Sequence, residues 1–134
     1  MYTKILMDVS ALFMAILGVV ASFFPQEILA YSGSHPEGLG VLLIQISGAI
    51  YMGFAMLNWM ARANIIGGIY SRPVALGNFL HFAVAGVVLL KALIAGQRAF
   101  EIAVGSVAYS AFAVWFGLVL FNHPRQIGKG DSPR

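Results

Sequence analysis

Four apolar stretches, each long enough to cross a lipid bilayer, take up nearly the whole chain, at about 5–24, 41–60, 74–94 and 102–121. A transmembrane helix needs about 20 apolar residues to span a hydrocarbon core of roughly 30 Å. Within that core every backbone N–H and C=O must find an internal partner, which a helix provides within itself. The expected fold is therefore all-α, a four-helix transmembrane bundle formed by residues 1–124 as a single domain, with a polar tail at 125–134. Only 10% of the residues are charged, against about 25% in an ordinary soluble domain. Within these 134 residues no water-soluble domain is expected beside the spans. There are no cysteines, which excludes disulfides and thiolate metal sites.

Turn residues separate the spans. Pro25 ends the first, because proline lacks the backbone donor that a continuing helix needs. In the loop 25–40, the piece Glu27 to Tyr31 is expected to form one amphipathic turn at the interface. Arg62, Gly67, Gly68 and Arg72 mark the second connection, and Pro73 suits the first turn of the third span. Gly96-Gln97-Arg98 makes the last tight turn, and Pro124 stops the fourth span. Val19-Val20-Ala21 offers a small-residue cleavage site, but Asp8 interrupts the apolar run early and Phe23-Phe24 carry it past that site. The first segment thus reads as a retained span.

Lys and Arg in short loops orient a membrane protein. Lys4, Arg62, Arg72, Arg125, Lys129 and Arg134 fall on one side, and only Lys91 and Arg98 on the other, which places both termini in the cytoplasm. Small residues recur at helical spacing, as in Ala11, Ala15, Gly18 and Ser22, or Ser106, Ser110, Ala113 and Gly117. Such stripes let helices approach closely, within one bundle or across a dimer face.

Polar groups inside spans are costly and need a reason. Asp8, Asn58, Arg62, Asn78 and His81, with Asn122 and His123, all fall within one or two turns of the cytoplasmic side, and Arg72 lies just beyond. Asn58 and Arg62 share a face at i, i+4, and Asn78 and His81 share one at i, i+3. The candidate polar pocket is thus Asp8, Asn58, Arg62, Arg72, Asn78 and His81. One reading makes it functional. Asp8 and His81 then exchange a proton or bind a ligand, and Arg62 or Arg72 holds an anionic headgroup. The other makes it structural. Asp8 then pairs with Arg62, Arg72 or His81, and the amides tie helices together. A secondary outer-half set comprises Gln45, Lys91 and Glu101, where Lys91 either snorkels to the headgroups or pairs with Glu101. Between His81 and Lys91 the third span is wholly apolar, which argues against a permanently wet channel.

No Gly-rich phosphate loop, His-Glu-x-x-His pattern or nucleophile elbow occurs, so no catalytic residue, cofactor or metal is expected. His35, His81 and His123 fall at different depths, unsuited to a shared haem. The short basic tail lacks interleaved aromatics and gives no support for nucleic acid. The partners that fit are the bilayer, a second copy or another membrane protein, and a lipid or quinone-like ligand.

The residues Phe24 to Leu29 (FPQEIL), Asn58 to Arg62 (NWMAR) and Gly67 to Pro73 (GGIYSRP), in this order around small-rich spans, resemble the small bacterial four-helix membrane proteins of the DoxX-like and related uncharacterised families. The ending after the last span departs from DoxX proper, with Asn122-His123-Pro124-Arg125 in its place. The resemblance implies a bacterial inner-membrane protein with an accessory role, and it carries over no catalytic residue. The expected function is non-enzymatic binding of a lipid, small molecule or partner. The alternative is a small proton-coupled transporter using Asp8 and His81.

Overall fold

The computed structural model describes residues 2–63, 72–97 and 99–121. Asn122, His123 and the tail at 125–134 lie outside these, as does most of the second connection. The described chain forms five helices: α1 (Tyr2–Phe23), α2 (Pro25–Tyr31), α3 (Leu39–Ala61), α4 (Arg72–Ile94) and α5 (Phe100–Phe121). Four of them, α1, α3, α4 and α5, are long and apolar enough to cross a membrane.

Local chemistry sets the breaks. Phe24 leaves helical geometry, as the residue before a proline tends to, and Pro25 opens α2 at its first position. The expected turn at Glu27–Tyr31 is therefore a two-turn helix that starts at the proline. Helices α2 and α4 both end in a glycine with positive φ, Gly33 and Gly96. In each case the next residue's N–H reaches back five residues, Ser34 to the Leu29 carbonyl and Gln97 to that of Ala92. This closure satisfies carbonyls that a helix end leaves free.

The bundle is two tight helix pairs, α1 with α3 and α4 with α5. Glycine makes the first pair tight. A Cβ on Gly48 would lie 2.7 Å from the Ser22 nitrogen and 2.9 Å from the Gly18 carbonyl oxygen. One on Gly18 would lie 2.9 Å from the Met52 nitrogen. The two backbones touch there, in the close approach that small residues permit. The second pair is looser: a Cβ on Gly86 would meet the Tyr109 and Ser110 backbone at 3.6 Å.

Large aromatics bridge the pairs. Phe13 of α1 meets Tyr109 edge-on at 5.7 Å and Phe112 at 5.3 Å. Phe82 of α4 also meets Phe13, at 6.4 Å, and within its own pair stacks on Phe112 at 4.7 Å and on Phe116 at 5.7 Å. Offset and edge-on ring pairs are worth about 0.5–1.5 kcal/mol each beyond area burial. Small residues thus set the α1–α3 crossing, while aromatic rings pack the α4–α5 pair and join it to α1.

The outer surface is apolar on every long helix. Leu12 and Ile16, Ile46 and Ile50, Val84 and Val87, and Val107 and Val114 are all exposed. Ser10, Asn58, Asn78 and Ser106 are fully buried. Soluble proteins show the reverse distribution. Polar groups inside and apolar groups outside suit a hydrocarbon solvent.

Outside the spans, the Tyr31 hydroxyl donates to the Glu101 carboxylate at 2.5 Å, tying α2 to the start of α5. That hydrogen bond, with the adjacent negative charge, holds the phenol above its usual pKa. Glu101 is thus engaged by Tyr31, while Lys91 stands exposed in the last turn of α4. Gln45 is exposed on α3.

Candidate functional site

The six expected pocket residues fall into four settings: Asn58 with Asn78, Asp8 with Arg62, and His81 and Arg72 each apart. Asn58 of α3 and Asn78 of α4 face each other in the core. Each amide donates to the other's carbonyl oxygen, at 2.8 Å and 2.7 Å. The second Asn58 hydrogen goes to the Ser10 hydroxyl at 3.0 Å, and the second Asn78 hydrogen to the Val74 carbonyl at 2.9 Å. Ser10 in turn donates to the Met7 carbonyl at 3.1 Å. Every amide hydrogen of the pair is used and both amide oxygens are engaged. This closed network ties α1, α3 and α4 together and leaves no amide donor free for a ligand.

His81 lies one turn further along α4 among rings. Phe54 is 5.0 Å away between centroids, Phe82 5.3 Å, Tyr51 5.7 Å and Tyr109 5.8 Å. The Nε2 of His81 is buried without a hydrogen-bond partner among the described residues.

Asp8 takes Arg62 rather than His81. The Asp8 carboxylate and an Arg62 Nη lie 3.4 Å apart, with side chains 37% and 35% exposed. This is the only ion pair among the described residues. The Arg62 guanidinium lies over the Trp59 ring, 3.4 Å from its centroid, a cation–π geometry. Arg72 opens α4 in an exposed position. The structure therefore brings Asn58 and Asn78 together and Asp8 and Arg62 together, without joining Asp8 to His81.

Helical geometry explains the division. Asp8 and Ser10 are two residues apart, about 200° around a helix. Ser10 faces the core with Leu6 and Met14, which puts Asp8 toward the outside.

On that outer side α1 and α3 enclose an apolar groove of about 390 Å³. Ala11, Leu12, Ala15 and Val19 form one wall, and Met52, Ala55, Met56 and Trp59 the other. Its volume falls in the range of small-molecule sites, about 300–1,000 Å³. The small side chains of Ala11, Ala15 and Ala55 leave the hollow that Leu12, Met52 and Met56 border. Among the described residues no three His, Asp or Glu side chains gather as metal ligands.

Sequence reasoning missed Ser10, Tyr51, Tyr109 and the groove. Tyrosines in membrane proteins favour the interfaces, so two well inside their helices stand out, and both pack against His81. Ser10 is the only polar side chain between Asp8 and Ser22 in α1.

Comparison with known proteins finds no matching family model, no matching curated protein and no matching solved structure.

Proposed function

We propose that this chain is a non-enzymatic integral membrane protein that holds a lipid-like molecule along α1 and α3 and presents it to a partner in the bilayer. The observation that carries this reading is the groove, almost wholly apolar and open to the surface. An unbranched or isoprenoid chain suits such a wall, because dispersion contacts with packed side chains replace contacts with loosely ordered tails. The closed Asn58–Asn78–Ser10 network supports a structural role for the buried amides, which leaves the groove and its charged end as the surface for binding. The excess of Lys and Arg supports both termini in the cytoplasm, so this charged end lies at the cytoplasmic leaflet. The resemblance to DoxX-like proteins supports a bacterial inner membrane and an accessory role.

Filling the groove tests the reading. Native mass spectrometry of the mildly solubilised wild-type chain is expected to retain a bound amphiphile. Ala15→Leu, which projects a branched side chain into the hollow, is expected to lose it. Val107→Leu, on the exposed face of α5, is expected to keep it. Equal retention by wild type and Ala15→Leu would contradict a groove site, as would a bare wild-type chain in several mild detergents.

A further inference from the structure

The groove has a charged end as well as an apolar length, and that end specifies the headgroup. We infer, resting on the groove reading above, that the occupant is an anionic, phosphate-bearing membrane lipid. Its chain lies between Ala15 and Ala55, and its phosphate lies between Lys4 and Arg62.

Three observations lead there. First, both groove walls run out onto cations. Along α1, Lys4, Asp8, Leu12, Ala15 and Val19 recur at intervals of three and four and share a face. Along α3, Ala55, Trp59 and Arg62 do the same. Two cations and one carboxylate leave this end with a formal charge of +1.

Second, Asp8 does not saturate Arg62. The single 3.4 Å approach is longer than the roughly 2.7–2.9 Å of a strong charge-assisted hydrogen bond. Both side chains are more than one-third exposed, where an ion pair contributes little. A phosphate that accepts two parallel N–H bonds from the guanidinium fork is a better match in geometry and charge.

Third, Trp59 fixes both parts at once. Its ring lines the groove and also carries the Arg62 guanidinium. Tryptophan sits at headgroup depth in membrane proteins. The ring thus holds the fork where the acyl region gives way to phosphate. Asp8 acts as an internal stand-in that occupies Arg62 until a phosphate displaces it.

The test uses the full chain in mild detergent, with native mass spectrometry and competition between phosphatidylglycerol and phosphatidylcholine of identical acyl chains. Wild type is expected to prefer phosphatidylglycerol by about fivefold or more, given the attraction of basic side chains for anionic lipid. Arg62→Gln is expected to abolish that preference while phosphatidylcholine binding persists. Lys4→Gln should reduce the preference without disturbing the helix packing, since Lys4 is exposed. Asp8→Asn removes the competitor and is expected to increase it.

Equal binding of the two lipids to wild type overturns the headgroup assignment and leaves the groove reading standing. A preference that survives both Arg62→Gln and Lys4→Gln overturns it as well. Loss of both lipids defeats the groove reading itself. Inorganic phosphate that displaces phosphatidylglycerol at equal concentration identifies a free anion as the ligand and overturns the lipid assignment. A dimer that occupies the groove and excludes lipid also overturns it.

Discussion

Gly48→Leu is expected to yield no folded, monodisperse protein, and Gly48→Ala to destabilise the bundle by about 1–3 kcal/mol, the usual cost of forcing extra atoms into a packed contact. A new Cβ there meets backbone on the opposing helix, at 2.7 Å from the Ser22 nitrogen and 2.9 Å from the Gly18 oxygen. Backbone cannot rotate away as a side-chain tip can. Relief therefore requires α1 and α3 to separate, which would also reshape the groove between them. Gly53 provides the control on the same helix. A Cβ there has nothing within 4 Å, so Gly53→Ala is expected to be neutral or to stabilise by up to about 1 kcal/mol through helix propensity. Thermal unfolding in detergent, followed by size-exclusion chromatography, measures both. Equal tolerance at the two glycines would contradict the close crossing of α1 and α3.

Removing both sides of the amide pair is expected to cost less than the two single removals added together. Asn58→Leu strands the Asn78 amide in a fully buried site and also removes the donor to Ser10. A buried polar group without its partner costs about 1–3 kcal/mol. Replacing Asn58 and Asn78 together by leucine removes both amides, and the loss is expected to be smaller than the sum of the two single losses. The coupling energy from a double-mutant cycle should approach about 1.5 kcal/mol. That is near the upper end of interhelical hydrogen bonds measured inside membranes, because two reciprocal bonds are lost together. A coupling near zero would mean that the amides do not tie α3 to α4.

The spans were legible because twenty apolar residues in a row admit few interpretations. The observed helices outrun the apolar stretches by about two residues at several ends. Tyr2, Thr3 and Lys4 extend α1, and Arg72 and Pro73 extend α4. Helical hydrogen bonding continues into the headgroup region, where polar side chains carry no penalty, so hydropathy alone stops short. The depth of the polar groups was also legible, since it depends only on position along each span.

Their rotation about the helix axes was not. A membrane helix is apolar on nearly all sides, and periodicity then says little about which face turns inward. Asn58 and Asn78 share a depth and do meet. Asp8 and His81 also share a half of the bundle, yet Asp8 turns outward to Arg62 and His81 turns into rings from α3 and α5. Three partners suited Asp8 by depth alone, and the α1–α3 pairing through Gly18 and Gly48 selected the one on α3. The same pairing created the groove, which depends on how two helices cross and has no counterpart in either helix alone.

The buried polar network and the open apolar groove both require lipid around the exposed valines and leucines. The chain has no native cysteine, so a single introduced thiol reports one position without background. Intact membranes carrying Val84→Cys, Val107→Cys or Ser34→Cys should be treated with a membrane-impermeant maleimide from either side. All three positions are exposed on the protein surface. The expected result is rapid labelling at Ser34→Cys and none at Val84→Cys or Val107→Cys until detergent is added. Labelling of the two valine positions as fast as Ser34→Cys would show that water, and not hydrocarbon, covers these helices.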